Sequence, residues 1–369
     1  MIVKKLDLLN FKNYEELNIS LSPGINCFAG ENGSGKTNLL DAIYFLSLTK
    51  SASPLSDSQL IKHDTPFFMA KGVFESGDNE FEVLASLKLR QKKIFKCNHY
   101  QYEKLSEHVG KFPIVLISPN DTDIIREGSE TRRKFIDNLI SQFDREYLTN
   151  LIKYNHQLKQ RNSLLKQVAE SGKLDRDLLG SYDVALNKYG TEIFRKRQEV
   201  CQSFIEDFQK EYLTLTENKE SVGLSYESQL LNSNFIDELA KNIDRDCILQ
   251  RTTFGIHKDD FIFTIGGHPL KKFGSQGQQK SFVIALQLAK FTALENATGL
   301  KPILLLDDIF DKLDESRTLK LLKMVHQKKF SQVLLTDASL SRCKEQLKQF
   351  KKDMKLFEVS NGNIKHIKF

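Results

Sequence analysis

Apolar positions recur along this chain with two different periods, and the period changes twice. Ile2 to Leu9, Ile25 to Ala29, Phe67 to Phe74 and Phe81 to Leu89 are short apolar or alternating runs set off by glycine-rich or polar turns, a pattern that predicts strands. Ile114 to Ile117, entered through Pro113, predicts one more short buried strand, because proline is tolerated where a strand begins. From about Thr131 to Leu215 the spacing changes. Leu139, Phe143, Tyr147, Leu151, Tyr154 and Leu158 recur mostly at helical steps, and Tyr182, Leu186, Tyr189 and Ile193 resume them after a break at Glu170-Ser-Gly-Lys173. This predicts an antiparallel helical hairpin or small helical lobe, too short for a long coiled-coil arm. After about residue 240 the first pattern returns. Ile303 to Leu306 is a continuous apolar run suited to a central parallel strand, and Gln332 to Thr336 is another buried strand. The expected organisation is an α/β core in two pieces, residues 1–125 and 236–369, with a helical lobe inserted over 126–235.

The turn after Ile25–Ala29 carries chemistry. Gly30-Glu31-Asn32-Gly33-Ser34-Gly35-Lys36-Thr37 fits G-x-x-x-x-G-K-[ST] (the Walker A pattern), between a strand and the helical run Asn38 to Leu46. Glycines let the backbone curl until successive N–H groups face phosphate oxygens, and the helix start adds its positive dipole end. Gly30 through Asn38 is the expected ATP-binding segment: Lys36 reaches the β- and γ-phosphates, and Thr37 ligates Mg²⁺ through its hydroxyl. The second piece is Ile303-Leu-Leu-Leu306-Asp307-Asp308, an apolar strand ending in carboxylates (Walker B). Such a strand beside the phosphate loop delivers Asp307 to the magnesium shell and lets Asp308 orient or deprotonate the attacking water, the catalytic role. Thr336, at the end of the late strand, either contacts the γ-phosphate or caps the strand end.

Composition sets limits. Lys and Arg number 54 against 48 Asp and Glu, an excess of +6 that permits a nucleic-acid partner without demanding one. The five cysteines are odd in number, far apart and free of any C-x-x-C pair, which points to free thiols in a reducing, cytoplasmic setting. The start of the chain lacks an apolar secretory region, and no stretch is apolar for the roughly 18 residues that would cross a bilayer. Two basic patches are candidate DNA contacts or else solvated faces: Lys88, Arg90 and Lys92, alternating along one strand face with Lys93 and Lys96 nearby, and Arg132-Arg133 at the opening of the helical lobe.

Phe273-Gly-Ser275-Gln276-Gly277-Gln278-Gln279, ahead of a clear helix, resembles the signature segment of ABC ATPases. In those enzymes the segment grips the γ-phosphate of ATP held by the other subunit's phosphate loop. Lys312-Leu313-Asp314 resembles the loop they use across the dimer. The fold this implies is an ABC-type P-loop ATPase core, a mixed sheet with flanking helices, plus the inserted helical lobe. One family within that class is matched along essentially the whole chain. Leu8-Leu-Asn-Phe11-Lys-Asn13-Tyr14, Ser118-Pro119-Asn-Asp121 with Gly128 and Arg132-Arg133-Lys-Phe-Ile-Asp137, Gly255-Ile-His257-Lys258-Asp259-Asp260, and the segments already quoted all resemble the RecF family of bacterial recombination mediators.

The resemblance implies an ATP-dependent homodimer with Lys36 of one copy facing Ser275 of the other. It implies binding to duplex DNA and to gapped or single-strand junctions, weak DNA-stimulated ATP hydrolysis that releases the dimer, and other recombination mediator proteins as partners in repair, replication-fork recovery and the SOS response. The competing expectation, an ABC-type ATPase subunit coupled to a membrane or other protein partner without DNA, has no use for the long helical insertion or the Gly255–Asp260 segment. Several positions depart from the family pattern. Ala52-Ser53-Pro54 stands where an arginine-containing loop is usual, Lys258 replaces an arginine, Lys312 replaces an acidic residue, and Thr336-Asp337 occupy the place of a switch histidine. His257 either lies near the nucleotide or supports its own loop.

Overall fold

The computed structural model describes residues 1–368 apart from 217–219, 309–319, 321–323, 325–329, 349 and 351–353. The expected dimer-loop residue Asp314, with Lys312, lies outside the described residues. Two compact units form: Met1–Asp121 with Leu286–Phe369, and Thr122–Ala285. The second unit ends at Ala285, where the sequence pattern draws its line at 235, because the strands after Glu227 pair with the strand before it.

In the first unit the strands before the insertion are β1 (Ile2–Phe11), β2 (Tyr14–Ser20), β3 (Ile25–Ala29), β4 (Phe67–Ser76), β5 (Asn79–Lys88), β6 (Ile94–Cys97), β7 (Tyr100–Gln101) and β8 (Ile114–Ile117). The second unit contains β9 (Val222–Glu227), β10 (Asp260–Ile265) and β11 (His268–Pro269). The chain then returns to the first unit with β12 (Ile303–Leu306), β13 (Val333–Asp337), β14 (Met354–Ser360) and β15 (Asn363–Ile367).

Two sheets build the first unit. One is antiparallel, in the order β2-β1-β4-β5-β6-β7. Its alternating strands bury one face against the helix Lys36–Leu48, where Phe11, Phe45 and Phe68 meet with ring centroids 5.4 and 5.7 Å apart. Burying each such ring contributes on the order of 2–3 kcal/mol. The other sheet runs β15-β14-β3-β13-β12-β8, parallel throughout except for the edge strand β15. Every residue of β3, β12 and β13 is buried, which explains why those segments read as unbroken apolar runs. This is the mixed sheet of an ABC-type P-loop core. The order contains one detail that strand patterning does not reveal: β13 lies between the phosphate-loop strand β3 and the acidic strand β12.

The second unit is the helical lobe with a small sheet. Three successive helices of this lobe are Ser129–Ser141, Arg145–Ser171 and Arg176–Thr216. Asp144 caps the second by accepting from the backbone N–H of Tyr147 at 2.8 Å. The second and third helices form the expected hairpin, broken at Gly172, which adopts φ 69°. The sheet order is β11-β10-β9, antiparallel.

Candidate nucleotide site and the two lobe motifs

The loop Gly30–Thr37 leaves β3 and enters the helix Lys36–Leu48 through two glycines in the left-handed region, Gly33 at φ 82° and Gly35 at φ 110°. At Gly35 a side chain is excluded twice over: by that φ, and because a Cβ would run into the Asn13 amide. Asn13 is part of the loop's support. Its Nδ2 donates to Ser34 O at 3.2 Å and its Oδ1 accepts from Asn38 Nδ2 at 2.7 Å. The Tyr14 hydroxyl donates to Gly35 O at 3.0 Å, and the N–H of Gly362, in the β14–β15 turn, donates to Ser34 O at 3.2 Å. The loop is thus clamped from the β1–β2 turn and from the end of the chain. Sequence reasoning marked Asn13 and Tyr14 only as part of an opening motif and gave them no role; a polar pair in a tight β-hairpin turn was the available signal.

Lys36 is drawn across the loop, with Nζ donating to the carbonyls of Gly30 at 2.7 Å and Glu31 at 2.9 Å. The Thr37 hydroxyl lies 3.0 Å from both carboxylate oxygens of Asp307. Thr37 and Asp307, 270 positions apart, therefore form one cluster. The backbone N–H of Asp307 donates to Ile117 O at 2.8 Å, which fixes β12 against β8. The turn after β8 is held by Asp121, whose carboxylate accepts from Ser118 N at 3.0 Å and from Gln287 Nε2 at 2.8 Å.

Thr336, read in the sequence as either a γ-phosphate contact or a cap of the strand end, has two partners in the structure. Its side chain is fully buried, its hydroxyl donates to Asp307 Oδ1 at 2.7 Å, and it accepts from the backbone N–H of Asp308 at 2.9 Å. The hydroxyl thus ties the two aspartates together at the end of the strand. The reason is strand order: β13 intervenes between β3 and β12, so the end of β13 abuts the end of the acidic strand. Asp308 adopts φ 47°, a left-handed conformation that aspartate tolerates better than most residues.

Downstream, the start of the Ser51–Pro54 stretch is tied to the helix after the phosphate loop. Asp41, on the helix after the phosphate loop, accepts from Ser51 Oγ at 2.7 Å and Ala52 N at 2.6 Å, and pairs with Lys12 at 2.6 Å.

In the second unit, the helix Gln276–Thr298 begins at an exposed reciprocal cap. Ser275 N donates to Gln278 Oε1 at 2.6 Å, and Gln278 N donates to Ser275 Oγ at 3.2 Å. Gln278 also donates to Glu220 Oε1 at 2.6 Å. Its side chain is therefore occupied at home, which leaves Ser275, Gln276 and the Gly277 backbone as the outward-facing members of the signature segment.

The two lobe motifs noted in the sequence prove to be partners. Arg132 forms a bidentate pair with Asp260 at 2.6 and 3.0 Å and donates to two carbonyls, and Arg133 donates to Asp259 O at 2.6 Å. Buried Arg197, from the long helix, joins Asp137 (2.9 and 3.0 Å) to Asp259 (2.8 Å). Burial raises the Asp259 carboxyl above its ordinary range, opposed by Arg197. His257 supports its own loop: Nδ1 pairs with the Tyr154 hydroxyl at 2.8 Å and Nε2 with Thr252 O at 3.1 Å. Burial lowers its pKa to about 4, so the ring is neutral at physiological pH. Arg132 and Arg133, candidate DNA contacts in the sequence, have these partners within the unit. Their half-buried guanidinium groups hold the Gly255–Asp260 segment.

The other basic patch differs from expectation. β5 ends at Lys88, and Arg90 turns out of the strand at φ 62°, so Lys88, Arg90 and Lys92 do not alternate along a strand face but follow a connecting loop. Lys93 is spent internally, on Asp57 at 2.8 Å and Thr49 O at 2.5 Å.

The chain matches the RecF/RecN/SMC N-terminal domain over residues 2–365. It is 47% identical over 360 residues to the DNA replication and repair protein RecF of Flavobacterium johnsoniae, covering 97% of this chain and 100% of that protein. The chain belongs to the RecF family. The Cytophaga hutchinsonii RecF is 45% identical over 364 residues, covering 99% of this chain and 96% of that protein. A solved structure of the recombination mediator protein RecF with ATP, described as part of the RecFOR pathway, superposes with a TM-score of 0.89 at 31% identity, covering 99% of this chain and 97% of that one. An Smc head domain derived from Pyrococcus furiosus superposes at 0.56 with 17% identity, covering 99% and 95%, and shows the same fold. Among the described residues, no helix of this RecF-family chain is long and apolar enough to cross a membrane.

Proposed function

We propose that this chain is an ATP-dependent DNA-binding clamp of recombinational repair and replication-fork recovery. In this reading two copies close around two ATP molecules at single-strand/duplex junctions, aid recombinase loading with other mediator proteins, and are released by slow hydrolysis. The observation that carries the reading is the cluster in which Thr37 and Asp307 face each other at 3.0 Å while Thr336 holds Asp307 and Asp308 together. Its oxygen donors, one hydroxyl and one carboxylate at the mouth of a phosphate loop, suit Mg²⁺, which prefers hard oxygen ligands and keeps waters and phosphate oxygens in its remaining positions. Bound there, the ion would neutralise charge on the β- and γ-phosphates. Lys36 would leave its two carbonyl partners for those phosphates, and Asp308 would orient the attacking water. Ser275 and Gly277 would offer the capped helix start to ATP held by a second copy. Family membership and the ATP-bound RecF structure support the nucleotide; the printed role of the relatives, DNA replication and repair, supports the DNA.

The test is binding to short duplex and gapped DNA at fixed, moderate salt, with and without ATP and Mg²⁺, for the natural chain and for Lys36→Met. The expected result is an affinity that rises sharply with ATP, a rise that Lys36→Met abolishes, and an ATP-bound dimer that accumulates in Asp308→Asn. Equal DNA binding with and without ATP would overturn the clamp.

A further inference from the structure

The first unit contains a groove of about 590 Å³ bounded by the loop Ser56–Ser58, the β5–β6 connection from Leu87 to Lys93, and the segment Tyr102–Leu105. Two sets of side chains gather there. The cations Lys88, Arg90 and Lys92 are exposed, and among the described residues none of them pairs with a carboxylate. Of the two acids in the lining, Asp57 is neutralised by Lys93 at 2.8 Å, which leaves Glu103 against three free cations.

The second set is apolar. Among the described residues of the first unit, the exposed large hydrophobic side chains are Leu55, Phe67, Leu89, Ile94 and Tyr100. Leu89 lines this groove, and each of the other four adjoins a lining residue. Leu55 precedes Ser56, Leu89 is in the lining at 47% exposure, and Ile94 follows Lys93. Phe67 is the cross-strand partner of Lys88, and the Tyr100 ring lies 5.7 Å from that of Tyr102. Exposed apolar side chains scattered singly need no explanation, but a whole unit's set gathered around one cationic groove does.

We infer that this groove is a docking site for a protein partner, namely an acidic linear segment with aliphatic or aromatic anchors. A groove of this size takes a few side chains, and the free cations complement aspartates and glutamates flanking them. Duplex DNA would use the cations but leave the apolar border in water. Single-stranded DNA stacks its bases on open aromatic faces, whereas the ring in the lining, Tyr102, is only 5% exposed, the exposed rings Phe67 and Tyr100 stand outside the lining, and the other apolar lining residues are Leu87, Leu89 and Leu105. The inference does not use the nucleotide site, so it stands or falls separately from the clamp.

The experiment is fluorescence anisotropy with the full chain at fixed salt and three probes: a labelled Asp-rich peptide carrying Leu and Phe, the same peptide with Ser at those apolar positions, and oligothymidylate. Arg90→Glu and Leu89→Asn are exposed changes, and circular dichroism checks that both variants remain folded. The expected result is binding of the first peptide, at least about tenfold weaker binding of the Ser peptide, and losses of similar size in each variant. Oligothymidylate binding should be unaffected by Leu89→Asn. No peptide binding, equal binding of the two peptides, or a loss confined to oligothymidylate would overturn the inference, the last in favour of DNA.

Discussion

Thr336→Val removes one hydroxyl and little else. Valine matches threonine in shape and favours a strand equally, so β13 should keep its packing. The structure assigns the hydroxyl two bonds in a fully buried setting, one donated to the Asp307 carboxylate at 2.7 Å and one accepted from Asp308 N–H at 2.9 Å. A hydrogen bond to a charged group contributes about 1.5–3 kcal/mol, and depriving a buried N–H of its acceptor costs about 1–3 kcal/mol. Some relaxation is expected, so the variant should lose about 3 kcal/mol of stability. The functional consequence is larger than the structural one. Asp307 would keep only Thr37 to orient it, and Asp308 would lose the bond that fixes its backbone. A misplacement of the order of 1 Å at reacting groups costs about a hundredfold in rate, so kcat for ATP hydrolysis should fall about ten- to a hundredfold. KM for ATP should change less than about threefold, because the phosphate loop is untouched. Thr336→Ser is the control: it keeps the hydroxyl, gives up one methyl at about 1 kcal/mol, and should keep kcat. Urea denaturation and steady-state hydrolysis give both readouts. If valine hydrolyses ATP like the natural chain, or serine fails as badly as valine, the orienting role of Thr336 is wrong.

Arg197→Met should destabilise the second unit by about 3–5 kcal/mol in urea, because it strands the buried Asp259 carboxylate. Arg197→Met with Asp259→Asn should then cost less than the sum of the single changes by about 1–3 kcal/mol, and strict additivity would refute the coupling. His108 and His257 are both held near pKa 4 by burial, against about 6.5 when unfolded. Because the folded pKa values are lowered, the unfolded chain binds more protons between these limits. Stability from these groups is therefore complete above about pH 6.5 and is lost as pH falls towards 4, by up to about 3 kcal/mol for each. Urea midpoints measured from pH 7 to pH 5 should fall, and His257→Asn should flatten the slope; an unchanged slope would refute the assignment for that ring.

Much of this molecule was determined by the sequence acting locally. The phosphate loop was legible because its glycines, lysine and threonine must sit at fixed spacing between a strand and a helix, and Gly35 at φ 110° shows why. The hairpin broken at Gly172 was legible from the apolar period, as were the buried strands β3, β12 and β13. What only the tertiary structure decided were the relations between distant segments. Patterning identifies strands but not their order, so nothing in the sequence put β13 between β3 and β12, and the bonds of Thr336 to Asp307 and Asp308 followed from that order. The surroundings of charged residues were hidden for a similar reason. Arg132 and Lys92 are both cations in basic runs, but one is bonded to Asp260, 128 positions away, and the other lines a groove with other exposed cations. Whether a cation is a strut or a contact depends on which carboxylate the fold brings within about 3 Å, and sequence separation does not encode that distance.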